Sequence, residues 1–338
     1  MVTIKDVAKR ANVSPGTVSN ALTRKRPVSV DTRRRILDAI EELGYQPNIL
    51  ARSLVNRRSE TLAVVASGLE YYGPSRTVIG IEQEANSLGY SLLLSLLHDP
   101  VNADVEQALS SLSARRVDGI VWAVPEIGSN RAWISPQRLE RLPPMIFLSM
   151  GMSRGVPLVA VNNRAGAALA AQHLIARGRR HIGLITGPLA WWEARERCAG
   201  FKEALAQAGV ALPDCLVTES DWSAAGGEEA MRRLLLQCPA IDAVFASNDQ
   251  MALGALRVAQ LLGRRVPADL AVVGFDNIPE SASFCPPLTT VYQALVQAGR
   301  LAVQELQNII KGRHDGKEWT EPVACLLSPE LIVRESSQ

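Results

Sequence analysis

Pro47-Asn48-Ile49-Leu50-Ala51-Arg52-Ser53-Leu54-Val55 divides this chain of 338 residues into two unlike parts. Leu50 and Leu54 stand one helical turn apart and share a face. So short a segment does not hold a helix alone in water, because nucleation is costly. The stretch is also too apolar for an idle linker, so it reads as a helix that needs a partner to fold on. Residues 1–60 carry 12 Lys and Arg against 6 Asp and Glu, whereas residues 61–338 carry 24 against 28. A small basic module on a larger, faintly acidic body points either to a polyanion bound by the first part or to a merely solvated basic surface.

Working back from the stretch, residues 1–46 read as three short helices. Thr3 caps the first, with Asp6 at the third helical position and Ile4, Val7, Ala8 and Ala11 on the apolar face. After a turn at Asn12-Val13, Ser14-Pro15 restarts the chain, since Ser is a good N-cap and Pro is tolerated where the N–H has no partner. Val18 and Leu22 lie one turn apart. A third helix begins near Ser29, presents Ile36, Ala39, Ile40 and Leu43, and ends at Gly44. Two helices joined by so short a turn form a helix-turn-helix unit. Its second helix would present Ser14, Thr17, Ser19 and Asn20 to a DNA groove, with Arg24, Lys25 and Arg26 beside phosphates.

Working forward, Asn56-Arg57-Arg58-Ser59 is a polar link, and strands then alternate with helices in two series. The first has strands at 62–66, 91–97, 119–123 and 145–149 and helices near 78–88 and 105–114. The second has strands at 181–186, 216–218, 243–246 and 270–274 and helices near 164–177, 195–208, 224–237 and 250–262. This pattern indicates parallel sheets covered on both faces, in two α/β lobes with a cleft between them. Ligands in such sheets bind off the carboxyl ends of the strands.

The ordered motifs Thr3-Ile4-Lys5-Asp6-Val7-Ala8, Val13-Ser14-Pro15-Gly16-Thr17-Val18-Ser19, Gly44-Tyr45-Gln46-Pro47-Asn48 and Ala51-Arg52-Ser53-Leu54 resemble the lactose-repressor/galactose-repressor family of bacterial transcription regulators. The resemblance extends over essentially the whole chain. It implies an α/β protein with a three-helix DNA-binding headpiece over 1–46 and a hinge helix and linker over 47–60. A two-lobed body like the periplasmic sugar-binding proteins would follow, its first lobe 61–161 plus 292–320 and its second 162–291 plus 321–338. The chain would cross between lobes near Val161-Asn162, Val291-Tyr292 and Thr320-Pro322. It further implies that the hinge folds on operator DNA against its twin in a homodimer, with Leu54 as the wedge in the minor groove. Thr3, Asn48, Ala51 and Arg52 join the DNA-facing set. Pro15 and Gly16 stand at positions that often carry base-reading side chains, and neither has a side-chain hydrogen-bonding group.

For the cleft, the resemblance implies polar contacts from Arg197, Asn248 and Asp276 and stacking on Trp222, with Ser67, Tyr71, Tyr72 and Ser149 on the opposite wall. Arg, Asp and Asn offer the planar, paired geometry that ligand hydroxyls need, and Trp offers an apolar plate. Asn248 and Asp249 also suit a helix N-cap, and Asp249 reads chiefly as one. Trp191-Trp192 is either a second aromatic wall or surface packing. Ser149 stands where some sugar-binding members carry an acid.

Catalytic chemistry finds no support. The five cysteines form no C-x-x-C pair, the four histidines are scattered, and His181 reads as a structural residue opening a buried strand. No nucleophile elbow, phosphate-binding loop or zinc-protease motif occurs, so neither a cofactor nor a metal is implied. The sequence opens without the apolar core of a secretory signal and has no apolar run long enough to span a membrane, so the expected location is the cytoplasm. The leading expectation is a DNA-binding regulator, most simply a repressor, controlled by a small molecule that is a sugar or sugar derivative. The alternatives are a corepressor-dependent regulator answering to a purine or nucleoside, and a solute-binding protein that does not bind DNA. The chain ends without leucine heptads, so the expected assembly is a dimer and not a tetramer.

Overall fold

A computed structural model describes residues 2–23, 26–45, 58–102, 104–315 and 324–338. Arg24, Lys25 and the stretch Pro47–Val55, with Asn48, Ala51, Arg52 and Leu54, lie outside the described residues. The chain forms two compact units, Met1–Ser59 and Glu60–Gln338.

In the first unit the helices are α1 (Ile4–Ala11), α2 (Pro15–Thr23) and α3 (Val30–Leu43). Local chemistry sets their ends. The Asp6 carboxylate accepts hydrogen bonds from the Thr3 N–H (2.8 Å) and the Thr3 hydroxyl (2.7 Å). Asn12 takes the left-handed conformation that stops α1, and the Thr17 N–H donates to Ser14 Oγ at 3.1 Å. Ser29 caps α3, which ends at Gly44 with φ 62°. Val7, Ala8, Ala11, Val18, Ala21, Ile36 and Ala39 form the core. Most of these side chains are small, and a fully buried one such as Val18 contributes about 1.5–3 kcal/mol.

Among the described residues the second unit holds two six-stranded sheets. The first contains β1 (Thr61–Ala66), β2 (Ser91–Leu96), β3 (Gly119–Ala123), β4 (Met145–Leu148), β5 (Leu158–Val161) and β11 (Ala324–Leu327), in the order β11-β5-β4-β3-β1-β2. The second contains β6 (Ile182–Thr186), β7 (Val217–Glu219), β8 (Ala243–Ala246), β9 (Ala271–Asp276), β10 (Thr289–Tyr292) and β12 (Glu330–Ile332), in the order β12-β10-β9-β8-β6-β7. All pairings are parallel except that of β10 with β12. Parallel sheets need both faces covered, and the connecting helices supply the cover. These are α4 (Tyr72–Ser87), α5 (Val105–Ala114), α6 (Asn163–Ala176), α7 (Trp192–Gln207), α8 (Ala224–Gln237), α9 (Asp249–Leu261) and α10 (Leu295–His314). Helices α4 and α10 approach so closely that a Cβ on Gly80 would fall 2.1 Å from the Val296 carbonyl oxygen. Among the described residues no helix is long and apolar enough to cross a membrane.

The chain crosses between lobes after β5, after β10 and between β11 and β12. The third crossing corrects the expectation of one at Thr320-Pro322. Ala324–Leu327 pairs with β5 in the first sheet, and the break falls at Ser328-Pro329. Tyr292 likewise still pairs in the second sheet, with Asp276. β11 is an edge strand with alternating exposure, so its composition gave no continuous apolar run to read. Helix α4 begins at Tyr72 rather than Val78, and α7 at Trp192 rather than Arg195.

His181 is a second correction. It is exposed and lies 4.0 Å from Asp242, outside the buried strand, which starts at Ile182. The Asp242 carboxylate accepts the His181 backbone N–H, so it is the backbone at this position that is held in place.

Candidate functional site

In the first unit the N-terminal turn of α2 is open. Ser14, Pro15 and Gly16 are exposed, as is Thr3, while Thr17, Ser19 and Asn20 are half-buried and Val18 points into the core. Ser14 and Thr17 share a hydroxyl–hydroxyl hydrogen bond of 2.9 Å. The helix start therefore presents short polar groups and bare backbone, which suits close approach to a groove or a phosphate.

In the second unit, strand ends from both lobes converge on a cleft of about 610 Å³. From the first lobe come Tyr71 and Tyr72 after β1, Ser149 after β4, and Val161 and Asn163 at the first crossing. From the second come Trp191, Trp192 and Glu193 after β6, Asp221 and Trp222 after β7, Asn248 after β8, Asp276 at the end of β9 and Gln293 after β10. Seven of the eight residues expected at the cleft line it. Ser67 does not: it is buried directly behind β1, and the turn at Gly68 (φ 65°) carries the chain on to Tyr71 and Tyr72.

The second-lobe wall is tightly wired. Buried Arg197 donates through Nε to Asn163 Oδ1 at 2.8 Å and through Nη1 to the Ser247 carbonyl. Its Nη1 also lies 3.5 Å from Asp276 Oδ1. Its guanidinium carbon sits 3.9 Å from the centre of the Phe275 ring and 5.6 Å from that of Trp222, within cation–π range. Asp276 also accepts from Gln293 Nε2. Asn248 caps α9, accepting the Met251 N–H at 2.8 Å, and its Nδ2 donates to the Trp222 carbonyl at 2.9 Å.

The capping role expected of Asp249 thus falls to Asn248. Asp249 is the first residue of the helix and is buried, accepting the Ile278 N–H (2.8 Å) and the Thr290 hydroxyl (2.5 Å). Trp222 packs against Gly187, where a Cβ would fall 2.2 Å from its ring. Tyr71, Trp191 and Trp222 form an edge-to-face chain with centroid spacings of 5.4 and 6.0 Å. Trp191 and Trp192 therefore belong to the cleft wall.

Three cleft residues other than glycine hold positive φ: Ser149 (54°), Trp222 (71°) and Asp276 (110°). Such conformations cost of order 1–3 kcal/mol each and gather where function constrains the backbone. Charge is perturbed in the same place. Burial pushes Asp276 up to about 6 against the pull of Arg197 and Gln293. Burial, reinforced by Asp276, pushes Asp249 up to about 8. Burial also pushes Glu193 up to about 7, against its own backbone N–H, Arg197, the Ser149 hydroxyl and Arg131. Arg131 itself is driven down to about 10 by burial, although Glu126 and Glu193 favour its charge.

Glu193 and Gln293 escaped sequence reasoning. Glu193 did carry a signal, standing four residues before Arg197 on one helical face. What buries it comes from the other lobe. There the segment after β3 bonds to the start of α7, with Trp192 N–H to the Glu126 carbonyl and Gly128 N–H to the Ala190 carbonyl, each 2.9 Å. Arg195 Nη2 meets Glu126 Oε1 at 2.8 Å beside them.

Comparison with known proteins agrees with both units. Residues 3–48 match the model of bacterial regulatory proteins of the lacI family, and residues 171–337 match a periplasmic binding protein-like domain. The chain is 36% identical to the HTH-type transcriptional repressor PurR of Erwinia tasmaniensis, covering 99% of this chain and 97% of that protein. It is 33% identical to the ribose operon repressor of Halalkalibacterium halodurans, covering 100% and 98%. Among solved structures it is similar to the Lac repressor dimer bound to operator and the anti-inducer ONPF, with a TM-score of 0.86, 31% identity and 99% of each chain covered. It is also similar to a complex of the transcriptional regulator CelR with cellobiose, with a TM-score of 0.72, 34% identity and full coverage of both chains.

Proposed function

This chain belongs to the lacI family of bacterial regulatory proteins, and on that premise we propose that it is a cytoplasmic repressor that binds a near-palindromic operator as a homodimer. A small molecule in the cleft, a sugar or sugar derivative, controls that binding. The single observation that carries the reading is the Arg197–Asp276–Asn248 cluster beside Trp222. Planar hydrogen-bonding groups and an aromatic plate meet there at the strand ends of two lobes.

Ser14, Thr17, Ser19 and Asn20 face the major groove, with Thr3, Pro15, Gly16 and Arg24 close to the backbone. Asn48, Ala51, Arg52 and Leu54 serve the minor groove. A ligand alters operator affinity only to the extent that it binds the two lobe arrangements unequally. Lobe closure therefore provides the coupling, because the ligand bridges Ser149, Tyr71 and Tyr72 on one wall to Arg197 and Asp276 on the other.

A similar structure that holds cellobiose and a similar ribose operon repressor support a sugar, whereas the similar PurR sequences do not point to one. Thermal unfolding with neutral sugars, sugar phosphates and nucleosides tests the reading, because a ligand selective for the folded state raises the melting temperature. A rise that disappears in Arg197→Leu supports the cleft. A rise that persists in that variant places the ligand elsewhere.

A further inference from the structure

Asp276 reaches the cleft from a strained turn. It and the next residue, Asn277, both hold positive φ, at 110° and 51°. Two such residues in succession persist only where their surroundings over-determine them. Within the cleft, Arg197 and Gln293 hold only the Asp276 carboxylate. The restraint on the turn comes from behind. The Asn277 N–H donates to Thr290 Oγ1 at 3.2 Å, and the Ile278 N–H to Asp249 Oδ2 at 2.8 Å. The Asn277 side chain is held separately, its Oδ1 accepting from Arg334 Nη2 at 2.8 Å. Through Nη1 the same guanidinium donates to the Leu288 carbonyl at 2.7 Å and to Ser281 Oγ at 3.2 Å. Arg334 therefore ties the turn after β9 to the residue that precedes β10. Neither Asp249, Thr290 nor Arg334 is among the described residues that line the cleft.

Arg334 is itself anchored, on the segment that follows β12. Its N–H donates to Thr289 Oγ1 at 2.8 Å, and its carbonyl accepts the Thr289 hydroxyl at 2.9 Å. Ser336 and Ser337 on the same segment are fully buried. Ser336 Oγ donates to the Val272 carbonyl at 2.6 Å and accepts the Thr289 N–H at 2.8 Å. These bonds hold the segment to the sheet independently of the guanidinium, whose reach is toward the cleft turn. A planar fork spans Asn277 and Leu288 at once, which a single point donor does not.

We infer that Arg334 is a positioning residue of the cleft: through Asn277 it fixes the turn that presents Asp276, so that ligand recognition depends on a side chain the ligand does not touch. This rests on the effector-cleft reading above and adds to it a determinant outside the cleft. A carboxylate held in place by its surroundings binds a ligand hydroxyl without the cost of ordering itself. Freed from Arg334, Asn277 relaxes out of the left-handed region, and Asp276 loses its fixed approach to Arg197 and to the ligand.

The test reads backbone protection and ligand affinity separately in the full chain. Arg334→Met keeps the side-chain stem and removes the donors. Asn277→Gly removes the acceptor and tolerates the positive φ. Amide hydrogen exchange of the unliganded protein, followed at residues 277–281 and in α7, needs no ligand. Arg334→Met should speed exchange at 277–281 about tenfold and leave α7 unchanged, the mark of a local opening. Calorimetric titration with cellobiose and ribose gives the second reading. Whichever sugar binds wild type should bind Arg334→Met about tenfold more weakly, and Asn277→Gly to a similar degree. The double variant should bind no more weakly than either single one, because both changes cut the same link. An Arg334 that only packs the sheet would lower the melting temperature and leave affinity within about twofold of wild type. That result, additive losses in the double variant, or unchanged exchange at 277–281 would each overturn the inference. If neither sugar binds wild type, the sugar reading fails, and the exchange experiment still decides for or against Arg334. If Arg334→Met does not fold, Arg334→Lys, which keeps one donor, replaces it in both experiments with smaller shifts of the same sign expected.

Discussion

The two walls of the cleft are built differently. The second-lobe wall is a closed circuit in which Arg197, Asp276, Asn248 and Gln293 hold one another or the backbone. The first-lobe wall offers the hydroxyl groups of Tyr71, Tyr72 and Ser149 and, among the described residues, no comparable ion pair. Under the proposed function, the difference assigns the wired wall to receiving the ligand and the sparse wall to closing over it. A preorganised wall binds without spending energy on ordering its own side chains. A sparse wall is free to approach and retreat, which a switch between lobe arrangements requires.

The largest effect should follow Arg197→Leu, which breaks the wired wall at its centre. Ligand affinity should fall by at least about a hundredfold, since two charge-assisted bonds are lost. Removing one partner of a buried ion pair costs about 3–5 kcal/mol when the other stays charged. Here Asp276 loses the pull that offsets its burial, so it should take up a proton near neutral pH and soften the penalty. Urea unfolding at pH 5 and pH 8 measures this, with the larger loss expected at pH 8.

Trp222→Ala should come next. It empties the space above Gly187 and should cost about 3–5 kcal/mol of stability together with the aromatic plate. If ligand affinity is unchanged while stability falls, Trp222 is a packing residue and the plate lies elsewhere.

Asp249 supports the wired wall from behind, and its effect is one of slope. Its folded pKa of about 8 lies above the ordinary carboxyl value. Its contribution to stability is therefore full below about pH 4 and is lost as pH rises through 8, because the folded state holds the proton longer than the unfolded one. Wild type should melt progressively lower between pH 5 and pH 8, and Asp249→Asn should flatten that decline by several degrees. An unchanged slope would remove Asp249 from the account.

The smallest effects belong to the other wall. Tyr72→Phe should weaken ligand binding by about threefold or less, in keeping with a single neutral hydrogen bond. A loss as large as that of Arg197→Leu would erase the contrast between the walls.

What the sequence disclosed follows the range of the physics behind it. Caps at Thr3, Ser14 and Ser29 and the stop at Gly44 are local chemistry, and each was legible. The strands β3 and β8 were legible to the residue because they are buried on both faces and read as unbroken apolar runs. β11 was not, since an edge strand needs no such run. His181 misled because the apolar pattern begins one residue later, at Ile182. In the cleft, Arg197, Asp276, Trp222 and Asn248 were reached through resemblance. Glu193 was missed because its character comes chiefly from burial, which the residues around it in sequence do not disclose, and only in smaller part from Arg197, Ser149 and Arg131.

The central claim is that operator binding by the headpiece answers to a ligand held between these walls. Footprinting of the full chain across DNA flanking its own gene, with and without the ligand found by thermal unfolding, tests it most directly. The account predicts a protected site of two-fold symmetry whose occupancy changes with ligand in wild type and does not change in Arg197→Leu. A protected site indifferent to ligand in wild type, or no symmetric site at all, would contradict it.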